Sequence, residues 1–494
     1  MGYSQAVRQR FLVPSCAGSN PASPIKKGIA FAVPFFYKNG VNLIKEGFKS
    51  VGHQPNHYMN EQQIPQKNYK KAPFKTVHRR ILIALILGQI SCGYALGISG
   101  TGFSLAQNYL HLTDFWVGLL GAGSLIGLAG SAVMGKLADS IGRRGLLMIN
   151  MYIFAVLSLA QLVTSNPWLL FIIRIAIGLM IAIDYTVGNS LLVEWLPEQE
   201  AGKRQSRLIF YWAIGFVCSY FAGILIRGFG SATWQVILAS SVVPSLITAL
   251  YRSVCRVPAS PSWLASQGQK EQAQRLIHKH IGRRFGLPKQ LLRRKRDPEK
   301  ITWRIVFNKQ YRRRTIVGGL FYACQAFAFF GISIFLPILL KGLKLGNDQL
   351  SGVMYNACVM AGVLVGMALF NHLSRRAFLV GHLLLAALAL IIIIVNPGHQ
   401  AFFQLGCFAI FSVVLSAGLV LDYPYPTELF DIKVRATGVG TVITISRIGA
   451  ASGTFLLPVL TNLGGSNLAM LVCAIILLIG GVGCLFFAPE TSSK

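Results

Sequence analysis

The sequence predicts an all-α integral membrane protein of twelve transmembrane helices in two pseudo-symmetric six-helix domains. Three observations carry that reading. Charged residues make up only 13% of the 494, against 53% hydrophobic, with a mean hydropathy of +0.54; soluble chains carry about a quarter charged residues. Apolar stretches of about twenty residues, enough helix to cross a ~30 Å hydrocarbon core, recur along most of the chain. One loop pattern also occurs twice, at equivalent places in the two halves of the apolar region.

Twelve apolar spans are expected near residues 81–105, 115–135, 145–164, 167–188, 206–227 and 233–251, then 315–340, 349–371, 377–395, 400–422, 436–460 and 467–487. The connections after the second, fourth, eighth and tenth spans hold Lys136, Arg143 and Arg144, then Lys203 and Arg204, then Arg375 and Arg376, then Lys433 and Arg435. The alternate connections 106–114 and 396–400 hold no Lys or Arg, Arg227, Lys341 and Lys344 being the exceptions in that set. Basic loops are retained in the cytoplasm, so both termini and the 252–314 segment are expected there, in a bacterial inner membrane. The segments are then a basic tail (1–74), a first domain (75–251), a linker (252–314), a second domain (315–487) and a short tail (488–494).

The linker carries eighteen Lys and Arg against three acids, and its first part reads as short amphipathic helices along the membrane face. The net charge of +31 resides in such connections, which is the inside-positive pattern rather than a nucleic-acid face. Nine cysteines, among them Cys92, Cys218, Cys324, Cys358 and Cys473, form no CxxC pair, and the histidines show no ligand spacing. No metal, cofactor or disulfide framework is expected, and no cluster at catalytic spacing suggests a membrane enzyme. Without a GxxxxGK[ST] loop, energy is expected from a solute or proton gradient rather than ATP.

Before residue 75 the chain has no apolar periodicity. The run Gly28–Phe36 is too short to span and lacks a small-residue cleavage site. Gly18-Ser-Asn-Pro21 matches what a transfer-RNA T-arm sequence would encode, which makes Met59 a candidate start; a genuine basic tail is the alternative.

The loop after the second span reads Gly135-Lys-Leu-Ala-Asp139-Ser-Ile-Gly142-Arg143-Arg144. Its glycines allow a tight turn, its arginines hold the turn on one side, and Asp139 suits a latch to an arginine or a helix N-terminus. This pattern closely resembles the signature loop of the major facilitator superfamily. A degenerate copy, Asn371-His-Leu-Ser374-Arg375-Arg376, follows the eighth span, as duplication of a six-span unit requires. A second echo follows the fourth and tenth spans: Asp184-Tyr185 with Glu194, and Asp422-Tyr423 with Glu428 and Arg435. The latter resembles the tyrosine–glutamate–arginine motif of sugar porters, with Asp431 in place of a usual proline. Gly93–Gly100, Pro258-Ala-Ser-Pro-Ser-Trp263 and Ala488-Pro-Glu-Thr491 resemble further sugar-porter motifs, the second with Ala259 and Ser262 at charged places. The likeness is to bacterial metabolite transporters near the sugar-porter and niacin-transporter branches, and it implies alternating access around one central site.

Charges inside spans are expensive and point to function. The reading finds four: Arg174, Asp184, Asp422 and Arg447. Arg174 matches the arginine that in sugar porters couples to an acid of the first span; here that place is Ala95. Asp184 lies about 15 Å along the helix from Arg174, too far for a direct pair, and Arg447 lies about 17 Å from its helix end, near the midplane. A midplane guanidinium suits a bidentate carboxylate, with a structural pair to Asp422 as the alternative. Candidate substrate contacts are Arg174, Arg447, Gln89, Tyr94 and Gln325. Candidate gating and coupling residues are Asp139, Arg143, Arg144, Asp184, Glu194, Asp422, Glu428 and Arg435. The expected cargo is a small polar metabolite, either an organic anion or sugar-like, with protons as an open second cargo and the bilayer as the other partner. A transport-deficient sensor of the same fold is the rival, and the oligomeric state stays open with a monomer compatible.

Overall fold

The computed structural model describes residues 67–226, 228–288, 303–336, 339, 348–370, 372–396, 401–430 and 434–491. The chain divides into Met1–Gln63 and Ile64–Lys494, and every described residue belongs to the second unit. Met59, Asn371 and Asp431 fall outside the described residues, as do the side chains of Asp139 and Arg435.

Ten helical segments are each long and apolar enough for one crossing: Thr76–Leu110, Asp114–Ala138, Arg143–Ala160, Pro167–Trp195, Glu198–Leu225, Gly230–Cys255, Lys309–Ile334, Leu350–Leu369, Arg375–Val395 and Phe403–Leu429. An eleventh, Thr437–Phe487, is a double crossing. The helical element Arg435–Phe487 has 53 residues and loses helical geometry at Gly464 and Gly465; at 1.5 Å per residue it is about 80 Å long, enough for two passes. Gly465 takes φ +72°, open to glycine without strain. Twelve spans result, referred to below by ordinal.

Local sequence sets the helix ends. Asn166 caps the fourth span, its Oδ1 accepting from the Trp168 amide at 2.9 Å ahead of Pro167 at the first helical position. Gly142 turns the chain from second span to third at φ +104°, a region that favours glycine. The fourth span widens into a π-turn over Asp184–Gly188, and the tenth tightens into a 3-10 turn over Leu419–Leu421 just before Asp422. The repeated Asp-Tyr pair therefore sits where the α-helix breaks in both halves, and π-bulges concentrate at functional sites.

The packing repeats as well. The first span lies against the fifth, the second against the fourth and the third against the sixth; the seventh lies along the eleventh, the eighth against the tenth, and the ninth against the twelfth, where Gly480 and Gly481 admit Leu383 and Leu384. The two halves meet through the first and seventh, second and eleventh, and fifth and eighth spans. Large apolar side chains such as Val156, Ile172 and Leu388 point outward, as lipid-facing residues must.

The linker after the sixth span begins with two short helices, Pro261–Ser266 and Lys270–His280. Leu264, Ala273 and Ile277 bury them in a second core with Tyr69, Val77, Leu191 and Trp195. The end of the expected tail is part of this core. Lys67 and Asn68 pair in parallel with Phe285 and Gly286, and Tyr69 is fully buried. Its hydroxyl donates to the Glu194 carbonyl at 2.8 Å and lies 2.9 Å from the Ser262 hydroxyl. Burial pushes that phenol up to about 12, so it keeps its donor proton.

Candidate substrate site and gates

Arg447 of the eleventh span lies between the halves with 4% of its surface exposed. It donates to the Tyr322 hydroxyl of the seventh span at 2.8 Å, and its Nε has no hydrogen-bond partner among the described residues. Three rings surround it: Tyr322 at 5.3 Å, Phe330 at 5.7 Å and, from the first half, Tyr185 at 5.8 Å. The Tyr322 hydroxyl also bonds the Asp422 carboxylate, and Tyr423 faces Asn189 of the fourth span. Phe330 leads on to Trp212 of the fifth span at 6.0 Å. Asn189 Oδ1 and the Trp212 indole nitrogen are buried there without a partner among the described residues, and so, elsewhere on the first span, is Gln89 Oε1. This is a cation, an acid, several rings and unsatisfied polar atoms from both halves, the composition of a small-molecule site.

One end of the molecule closes over this site and the other opens. At the end away from the basic loops, Gly100 meets the Ile334 backbone and Gly118 the Phe455 backbone, with no room for a Cβ at either glycine. Asp114 bridges the halves there, accepting from Gln107 at 2.8 Å and from Asn462. At the basic end a cavity of about 640 Å³ separates the halves, lined by Gln205 and Arg207, Met367 and Phe370, and Tyr423 and Glu428. Tyr423, which lines this cavity, adjoins Asp422 in the chain.

The two echoed motifs form equivalent ion pairs. Arg143 pairs with Glu194 in the first half, and Arg375 Nε lies 3.5 Å from Glu428 Oε2 in the second. Each pair stays within its own half rather than crossing between them. Ser260 donates to Glu194, Thr491 donates to Glu428, and Glu490 accepts the backbone amides of Arg375 and Arg376. The terminal Ala-Pro-Glu-Thr stretch thus caps the ninth span. Arg144 is exposed.

The family model described as sugar (and other) transporter matches residues 55–494. The inner membrane metabolite transport protein YgcS of Escherichia coli strain K12 is 31% identical over 422 residues, 85% of this chain and 93% of that one. The putative metabolite transport protein YaaU of the same strain is 29% identical over 431 residues, 86% and 95% of the two chains. Among solved structures, the partially occluded inward-open xylose transporter XylE of E. coli shares the fold at TM-score 0.70 and 17% identity, over 85% of this chain and 99% of that one. The chain belongs to the sugar (and other) transporter family. It is a multi-pass membrane protein with the major facilitator fold, and it transports small metabolites; the sensor alternative draws no support from these relatives.

Within this sugar (and other) transporter, several site residues stand apart from where the sequence reading put them. Among the described residues, the contacts of Arg174 and those of Arg447 are with different side chains. Arg174 is wholly buried in the first half, donating to Ser99 and, at 3.4 Å, to the Ala95 carbonyl, with Phe103 at 5.6 Å. Its Nε and Nη1 have no partner among the described residues, and no acid pairs with it there. Asp184 does not compensate it. Asp184 instead meets Arg252 of the sixth span at 2.6 Å, both side chains having no exposed surface. Tyr94 bonds Ser240 at 2.7 Å inside the first half, and Gln325 is buried in the seventh span.

Arg252 lies just beyond the sequence-predicted end of the sixth span at residue 251, where it reads as part of the basic linker. The span runs to Cys255. The signal was Asp184 itself: a buried carboxylate requires a cation within reach, and Arg252 is the nearest beyond the sixth apolar run.

Proposed function

We propose that this transporter carries a small organic anion by alternating access, holding its carboxylate at Arg447. The observation that carries this reading is a buried guanidinium between the halves whose Nε has no partner among the described residues. A carboxylate would take that donor in a charge-assisted bond, while Tyr185, Tyr322 and Phe330 would flank an aromatic or aliphatic body. Residues 75–251 and 315–487 act as the two rocking domains and 252–314 as their tether. The basic end faces the cytoplasm of a bacterial inner membrane, as retention of Lys and Arg loops directs, so the cavity at that end is the inward entrance. Arg143–Glu194, Arg375–Glu428, Asp139, Arg144 and Arg435 act in switching at that entrance. Arg174 adds positive potential from the first half.

A neutral sugar-like polyol is the second reading, favoured by the unpartnered Asn189 and Trp212 atoms, which suit hydroxyl groups. Uptake of labelled monocarboxylates and hexoses into proteoliposomes separates the two. Carboxylate uptake that Arg447→Gln abolishes supports the anionic site; hexose uptake that survives the substitution removes it. Fluorescence of a C-terminal GFP fusion in the bacterial host tests the cytoplasmic terminus.

A further inference from the structure

Of the buried acids among the described residues of the spans, Asp184 is spoken for by Arg252. The acid place of the first span is Ala95, so the coupling route of related porters has no carboxylate here. Asp422 remains. It is 5% exposed, next to the residue that lines the open cavity, and it shares the Tyr322 hydroxyl with Arg447. The titratable groups that face it are Tyr322 from the seventh span, Arg447 from the eleventh and Tyr423 on its own span, with Tyr185 of the fourth span behind Arg447. From the ninth span His382 packs against Gly418, one turn away, its Nδ1 donating to the Phe378 carbonyl at 3.0 Å.

We infer that Asp422 carries the coupling proton, and that substrate and Asp422 alternate as the counter-charge of Arg447. The inference rests on the anionic reading above. In the empty carrier, ionised Asp422 balances Arg447 through Tyr322, and the site has no net charge. When a substrate carboxylate arrives at Arg447, a proton from the cavity neutralises Asp422, and the site again has no net charge. The two mixed forms each carry a net charge: substrate without the proton is anionic, the proton without substrate cationic. An uncompensated charge in the closed site is strongly disfavoured, so only the two balanced forms pass through the occluded state. Transport is then electroneutral symport of a proton with a monoanion. The closed end above Gly100 and Gly118 enforces the penalty by excluding water from the switching site.

The test uses purified full-length protein with benzoate as the probe, in weakly buffered detergent with a pH indicator and in proteoliposomes. Wild type should take up about one proton per benzoate bound and accumulate benzoate when a pH gradient is imposed. Asp422→Asn should bind benzoate without proton uptake and support exchange but not gradient-driven accumulation, while Asp422→Glu restores accumulation. Benzoate binding that depends on Arg447 but takes up no proton overturns this inference and leaves the anionic site standing. So does accumulation by Asp422→Asn at the wild-type level. If Asp422→Asn fails to fold, proton uptake by wild type and its restoration in Asp422→Glu decide the matter. No benzoate binding, with hexose uptake that survives Arg447→Gln, removes the anionic reading and this inference together.

Discussion

Asp184 and Arg252 meet at 2.6 Å with neither side chain exposed, and that pair ties four spans of the first half together. Arg252 also donates to the Ala84 and Leu147 carbonyls and to Asn150 at 3.1 Å, and Asn150 reaches Asp184. Gly88 leaves the space the pair occupies. Removing one member strands a buried charge at a cost of about 3–5 kcal/mol. Arg252→Met should therefore lower the unfolding midpoint in detergent sharply, and Asp184→Leu added to it should recover most of the loss. If the double variant is as unstable as the single one, the pair is not what the arginine is for.

Arg174 is the reverse case. With only Ser99 and a carbonyl to receive its donors, its charge lacks a counter-charge among the described residues. Arg174→Met is expected to be neutral or stabilising, by up to about 4 kcal/mol, while uptake falls. A large drop in thermal stability would instead assign the arginine a structural role.

Asp114 holds the closed end by accepting from Asn462 across the halves. Asp114→Ala removes that bond without touching the central site. We expect it to shift the population toward opening at that end, by an amount worth about 1 kcal/mol or several-fold. Alkylation of Thr454→Cys, a buried position beside Phe455 at that end, would read the shift, and unchanged labelling would count against the latch.

Lys67–Asn68 and Tyr69 tie the start of the described chain to the linker and to the end of the fourth span. A chain beginning at Met59 should insert, fold and transport like the full one. A chain beginning at Thr76 loses the Lys67–Phe285 pairing and the Tyr69 bonds to Glu194 and Ser262, and should be clearly less stable. Tyr69→Phe isolates the hydroxyl and should cost about 1–3 kcal/mol. Lost activity on starting at Met59 would give the first 58 residues a function.

The fold class was legible in the residue order because a helix needs about twenty apolar residues to cross a bilayer, and such runs declare themselves. The duplication was legible too, since Arg143 with Glu194 and Arg375 with Glu428 recur at matched places, and both pairs form. What residue order could not settle is which buried charge finds which partner. Arg174, Asp184, Arg252, Asp422 and Arg447 are separated by tens to hundreds of residues, and their pairing depends on how helix faces turn toward one another. The π-turn at Asp184–Gly188 shows this most directly. There Asp184 meets Arg252 within its own half while the next residue, Tyr185, reaches across to Arg447 in the other. Composition determined that the chain lives in lipid; tertiary packing decided which of its buried charges pair with one another.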